Sequence, residues 1–222
     1  MAADVSRETA PAAPEVARRV FSSTRLPLAE RFAARLADDG VVRGLIGPRE
    51  TPRLWHRHLL NCAVVGEAVP KGATVCDLGS GAGLPGLVLA IARPDLQVTL
   101  VEPQLRRATF LDEVVTDLGL ESVEVVRERA EDLHGGPRHD VVTSRALAPL
   151  GRLLGWSMPL VAPTGALVAM KGASVGDEIE AAGPDLNRWQ CARPEVLVLG
   201  AGIVDPPTTV VRVVRAEPAR VG

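Results

Sequence analysis

Apolar residues follow two different rhythms along this chain. Before residue 71 they recur every three to four positions. In "LPLAERFAARLADDG", Leu28, Phe32 and Leu36 share one helical face, with Ala29 and Ala33 on its shoulder, and "DDG" ends the run. "PEVARRVF" reads as a shorter helix before it, and "GLIGPRE" as a linker. "TPRLWHRHLLNCAVVGEAV" is a further helix, with Thr51 as the expected N-cap and Pro52 at the first helical position. After residue 71 short apolar runs alternate with helical patterns. "TVCDL", "QVTLVE", "VEVVRE", "DVVTSR" and "GALVAMKG" read as strands. Between them lie "LPGLVLAIAR", "QLRRATFLDEVVTDLGL", a short acidic turn and "LGRLLGWSM", with a polar helix near 176–188 after the fifth. Such alternation builds βαβ units, and right-handed crossovers wind them on both faces of a sheet. "CARPEVLVLGA" and "TTVVRVVRA" have no helix between them and pair through "GIVDPPT" as an antiparallel edge.

The expected fold is therefore α/β: a doubly wound, mostly parallel sheet of seven strands with an antiparallel edge and an N-terminal helical cap. Residues 1–13 are expected to be disordered, 14–70 to form the cap facing the substrate, and 71–218 to form the sheet domain.

Composition narrows the partners. The 222 residues are 46% hydrophobic, enough for a substantial core. The formal net charge of -2 excludes a general polycation, so a nucleic-acid partner needs a local basic patch. Lys71 and Lys171 are the only lysines. Arginine dominates in the manner of a GC-rich genome, so no arginine is informative by type alone. Cys62, Cys76 and Cys191 are widely spaced in apolar runs, which reads as buried thiols rather than a metal site. The first residues lack the charge and apolar core of a signal peptide, and no run reaches the length of a membrane span. A cytoplasmic monomer without a membrane partner is expected.

The densest chemical signal is "DLGSGAGLPG", Asp77 to Gly86. Gly81, Gly83 and Gly86 satisfy the dinucleotide pattern G-x-G-x-x-G. Gly79, Gly81 and Gly83 satisfy a second one, in which an acidic strand end precedes G-x-G-x-G. Position separates them. The first glycine after the strand is Gly79, and Asp77 comes before it. A carboxylate is a poor neighbour for pyrophosphate and a good one for a cation. S-adenosylmethionine carries an ammonium, a sulfonium and no phosphate. Its amino acid end would lie over the glycines, with Asp77 taking the ammonium directly or through water.

The other strand ends carry polar candidates as well, where ligands of open α/β sheets bind. Glu102 ends the second strand as a ribose acceptor, which fits NAD as well as S-adenosylmethionine. Ala130 with Glu131 or Asp132 follows the third strand, where an adenine edge would be read. Arg145 ends the fourth and Lys171 the fifth, the latter as a substrate-side cation. Each has a plainer alternative: a surface strand end for Glu102, a solvated helix start for "RAED", an ion-pair partner for Arg145. Upstream, Arg43, Arg49, Arg53, His56, Arg57 and His58 face a single acid, Glu50. Arg53 and Arg57 share a helix face and form a candidate phosphate-binding stripe, with Arg49 and His58 beside it. His58 also suits a structural role, and Trp55 and Trp156 suit the core.

Taken in order, "LWHRHLLNC", "DLGSGAGLPGLVLAIARPDLQVTLVEP", "LRRATFL", "RAED", "VVTSRALAPL" and "LVAMKG" resemble the RsmG/GidB family of small-subunit rRNA methyltransferases. The resemblance implies a class I, Rossmann-like methyltransferase. It would move a methyl group from S-adenosylmethionine to N7 of one guanine in 16S rRNA, as naked RNA or as a small-subunit particle. It also implies that Gly79 and Leu84 contact the cofactor from the loop, that Ala130 and Glu131 bracket the adenine, and that Arg145 sits at the mouth. Two segments depart from the family pattern: "GLIGPRE", where many members have an Asn-Leu-Thr stretch, and Asn61, where many have Asp. No general base is expected, because guanine N7 is unprotonated. A methyltransferase acting on a small molecule or protein, and a nucleotide-binding module of NAD type, are the alternatives.

Overall fold

The computed structural model describes residues 10–216. Most of the segment expected to be disordered, and residues 217 and 218 of the sheet domain, lie outside that range. Within it, the carbonyl of Pro11 accepts a hydrogen bond from the Trp55 indole at 2.8 Å.

Seven strands form one sheet in the order β3-β2-β1-β4-β5-β7-β6. They are β1 (Thr74–Leu78), β2 (Gln97–Val101), β3 (Val123–Val126), β4 (His139–Arg145), β5 (Val161–Met170), β6 (Glu195–Leu199) and β7 (Thr208–Val214). The first five run parallel. β7 slots between β5 and β6, antiparallel to both, so the expected terminal pair supplies the antiparallel edge. The helices are α1 (Leu26–Arg35), α2 (Asn61–Ala63), α3 (Gly86–Ala92), α4 (Leu105–Leu118), α5 (Leu150–Ser157), α6 (Val175–Ala181) and α7 (Gly183–Arg188).

Strand alternation sorts side chains between two cores. On one face Val75 and Val168 join Phe110 and Leu111 of α4 and the cap residues Phe32, Leu36 and Leu59. On the other, Cys76, Leu78, Leu167 and Ala169 pack against Leu153 and Leu154 of α5. Strands buried on both faces read as near-continuous apolar runs, which is why they were conspicuous in the sequence.

Polar groups lock the cap down. Arg25 donates to the carbonyls of Ala90 and Ile91, near the end of α3, at 3.0 and 2.8 Å. Those carbonyls belong to the last turn, which has no helical donors of its own. Glu113 of α4 accepts from Arg35 and Arg43 at 3.2 and 2.6 Å. The start of the basic segment differs from expectation. A 3-10 turn spans Pro48–Arg53 with Gly47 as its N-cap, so Thr51 is buried inside the turn rather than capping it. Pro48 already satisfies the first helical position, and it moves the start upstream. The helical path then continues as a π-helical turn, Leu54–Leu60, into α2. No helix among the described residues is long and apolar enough to cross a membrane.

Candidate functional site

Parallel strands end on one edge of the sheet, and two cavities open there side by side. The smaller, about 550 Å³, lies over the glycine loop. The larger, about 1130 Å³, lies beyond the ends of β4 and β5. Arg57, Arg145, Ala146 and Leu147 line both.

The loop is shaped by glycine where the backbone demands it. Gly79 has φ +68°, and its N–H and that of Ser80 donate to the Val101 carbonyl, folding the chain across β2. Gly83 has φ +90°, and a Cβ there would lie 2.4 Å from Leu87 Cδ1. Gly79, Gly81 and Leu84 line the smaller cavity, whereas Gly83 turns the chain beneath it.

Asp77 departs from the expected ligand contact. It is fully buried under the loop and lines neither cavity. Its Oδ2 accepts from the N–H of Gly86 at 2.9 Å, tying the start of α3 to β1, while Oδ1 has no hydrogen-bond partner among the described residues. The reason is register: Asp77 shares the face of Val75, under α3. Burial pushes its carboxyl up to about 7, against the lowering effect of the Gly86 N–H.

Glu102 does reach the cavity. It is 2% exposed, its Oε2 accepts from Gly81 N–H at 3.0 Å, and its Oε1 accepts from Gln104 N–H at 2.9 Å. Arg107 stands 3.8 Å from Oε2. Ala130 and Glu131 fall outside the lining of both cavities. They start a 3-10 turn, Ala130–Leu133, whose Glu131 faces solvent.

Arg145 ends β4 on the dividing wall. It donates to Cys62 Sγ at 3.5 Å and to the Arg57 carbonyl at 3.3 Å. No carboxylate pairs with it among the described residues, so its guanidinium retains donors for an anionic or carbonyl group in either cavity. The neighbouring thiol is fully buried, and burial pushes Cys62 up to about 11, which keeps it protonated.

The basic segment splits. Arg53, His56 and Arg57 line the larger cavity, while Arg49 is exposed and lines neither. His58 does not join the stripe. It is 8% exposed, and its Nε2 lies 2.9 Å from Glu50 Oε2. Burial, then the nearby Arg145 charge, lowers its pKa, so the ring is neutral near pH 7. The hydrogen bond to His58 lowers the Glu50 pKa. An ionised carboxylate only accepts, so His58 donates from Nε2. Glu50 also holds Arg57, at 3.3 Å, and lines the smaller cavity. Sequence reasoning passed over it. The signal was present: it is the single acid in an arginine-rich window.

Lys171 is placed as expected but not free as expected. Its ammonium donates to Glu178 Oε2 at 2.6 Å and to the Ala148 carbonyl at 2.8 Å, and its side chain is 7% exposed. Asn61 and Thr208 are hydrogen-bonded to each other on the same cavity wall, where Asp205 also lies. Nothing in the sequence pattern brought 205–209 beside Asn61.

The residues fit S-adenosylmethionine in kind. The smaller cavity falls within the size range of ligand sites. It offers loop backbone, two carboxylates (Glu50 and Glu102) and the uncompensated Arg145. A Cβ at Gly81 would meet only the Gly79 carbonyl, at 3.7 Å, so the backbone there stands open to a ligand.

Comparisons with known proteins bear on the family and the fold. A family model described as rRNA small subunit methyltransferase G matches residues 25–199. A ribosomal RNA small subunit methyltransferase G from a Nocardioides species is 72% identical, over 100% of this chain and 88% of its own. The protein of that name from Thermobifida fusca is 58% identical, covering 90% of this chain and 84% of its own. Among solved structures, a SAM-dependent methyltransferase from Aquifex aeolicus aligns with a TM-score of 0.55 at 18% identity, covering 77% of this chain and 97% of that one. A variant of MtNAS in complex with S-adenosylmethionine gives 0.58 at 19%, covering 87% and 76%. These distant likenesses establish the class I methyltransferase fold. The model match and the high identities over nearly the whole chain establish that this protein belongs to the rRNA small subunit methyltransferase G family.

Proposed function

We propose that this protein transfers the methyl group of S-adenosylmethionine to N7 of one guanine in 16S rRNA, within the RNA or a small-subunit particle. The observation that carries the reading is the pair of adjoining cavities with a common wall of Arg145, Ala146 and Leu147. One suits a cofactor. The other carries Arg53 and Arg57 and is large enough for a nucleotide swung out of its strand. A small-molecule substrate would leave that arginine pair without a purpose.

S-adenosylmethionine supplies an electrophilic methyl on a sulfonium. The chain supplies alignment. Gly79, Gly81 and Leu84 form the floor, Glu102 receives the ribose hydroxyls, and Asp77 and Gly83 hold the loop in shape. Ala130 and Glu131 are assigned the adenine side by resemblance to the family. Guanine N7 carries its lone pair unprotonated at neutral pH, so the step calls for no base. Rate then comes from holding donor and acceptor in line at roughly 3 Å. Arg145 positions the base or its phosphate at the wall, Arg53 and Arg57 hold flanking phosphates, and Arg49 extends that stripe outward.

The test is to map N7-methylguanine in 16S rRNA by strand scission at the methylated base, in a deletion strain and its parent. One position should lose its mark and regain it when purified protein and S-adenosylmethionine are added to the deficient RNA or particle. An unchanged methylation map would eliminate the assignment.

A further inference from the structure

The ion pair at the end of β5 reverses the polarity expected of the larger cavity. A lysine was expected to face the substrate, yet its ammonium is consumed. Glu178 Oε2 accepts from Lys171 Nζ at 2.6 Å and from the N–H of Leu150, at the start of α5, at 3.1 Å. Two donors on one oxygen, together with the Lys171 contact to Ala148, fix the carboxylate in one orientation. The other oxygen, Oε1, has no hydrogen-bond donor among the described residues. The side chain is 24% exposed and lines the larger cavity only. A locked carboxylate with one oxygen left over is an acceptor prepared for a donor from a ligand.

We propose that Glu178 reads the Watson–Crick edge of the target guanine, its free Oε1 accepting from both the N1–H and the adjacent N2 amine, with Lys171 as its positioning residue. The proposal rests on the guanine-N7 reading above. Its geometry follows from which residues line which cavity. Arg57 and Arg145 line both, whereas Lys171 and Glu178 line only the larger. A guanine whose N7 approaches the shared wall presents O6 beside it, to guanidinium donors, the pairing expected for that edge. Its N1–H and N2 amine then point away from the cofactor, into the part of the larger cavity that does not border the smaller one, which Glu178 lines. Those groups are donors. A free lysine there would repel them, while a carboxylate accepts them.

The same placement favours the transition state. As the N7–C bond forms and the C–S bond breaks, the electron pair of the C–S bond stays on sulfur and positive charge enters the purine. N1–H becomes a stronger donor, so its bond to Glu178 strengthens during the step. No proton leaves N1.

The experiment uses the full chain and small-subunit rRNA or particles carrying guanine or inosine at the target. Inosine keeps N7 and N1–H and lacks the N2 amine. Single-turnover rates are measured for wild type, Glu178→Gln and Glu178→Asp, with calorimetric S-adenosylmethionine binding and thermal melting alongside. Wild type should prefer guanine by about tenfold. Glu178→Gln should lower the guanine rate by about ten- to hundredfold, lose the preference, and leave cofactor affinity unchanged. Glu178→Asp, which keeps the charge, should retain part of the preference. A wild type indifferent to the N2 amine would overturn the proposal. So would a Glu178→Gln variant with the wild-type preference, for Glu178 would then serve only to hold α5. Failure of wild type to methylate guanine at N7 would instead sink the reading beneath it.

Discussion

The two cavities meet at one wall but are built differently. The smaller draws on 45–58, 79–84, 102–107 and 145–147, but its floor is the backbone of one glycine loop, 79–84, with Glu102 laid across it. The larger is assembled from side chains of four separated segments: 52–61, 145–149, 170–178 and 205–209. A loop held by its own N–H groups accepts few substitutions, because each glycine is fixed by a clash or a positive φ. A wall of side chains can be changed one group at a time. The difference suits a cofactor whose shape never varies and a substrate that must be told apart from similar ones.

The largest effect is expected from removing the shared wall. Arg145→Ala is expected to cost about a hundredfold in single-turnover methyl transfer, because it loosens alignment on both sides at once. A full rate would mean that the reaction lies elsewhere.

A pair of glycine substitutions contrasts the packed support beneath the loop with the open wall of the larger cavity. Gly86→Ala places a Cβ 2.3 Å from Leu100 Cδ2 and 2.7 Å from Asp77 Oδ2, both buried. It should destabilise the fold by about 1–3 kcal/mol in denaturant unfolding and weaken S-adenosylmethionine binding. Gly172→Ala, at the larger cavity with nothing within 4 Å, should stay within about 0.5 kcal/mol. Equal costs would erase the distinction.

The smallest expected effect concerns Asp77. Its carboxyl, at about 7 in the folded protein, lies above the ordinary 3.8. Between those values the folded state holds the extra proton, so this group's contribution to stability falls as pH rises through the window. Asp77→Asn keeps an oxygen for Gly86 N–H and removes the charge. Its melting temperature should gain steadily on wild type as pH rises from 5 to 8. A constant difference across that range would show that the carboxyl is not buried as a charge.

Legibility followed the same division. The glycine loop, Glu102 and Arg145 were readable because strand ends and their neighbours lie at fixed offsets in an α/β chain. Side-chain direction was less readable. Asp77 and Gly86 are nine residues apart, and only the fold brings them together under the loop. His58 sits in the arginine window yet points inward to Glu50, because the helical path turns one residue of "RHLL" out and the next in.

Local pattern along the chain was enough for the sheet, its helices, its antiparallel edge and the backbone floor of the smaller cavity. These follow from periodicity and from glycines whose neighbours in sequence are their neighbours in space. Tertiary structure alone decided which charges remain available. Lys171 was legible as a cation at a strand end, but Glu178, Ala148 and Leu150 converge on that spot only after β5 and α6 pack against the start of α5. Charge depends on partners within a few ångströms, and no local pattern reports those. What is left with an unengaged oxygen on that cavity wall is a carboxylate.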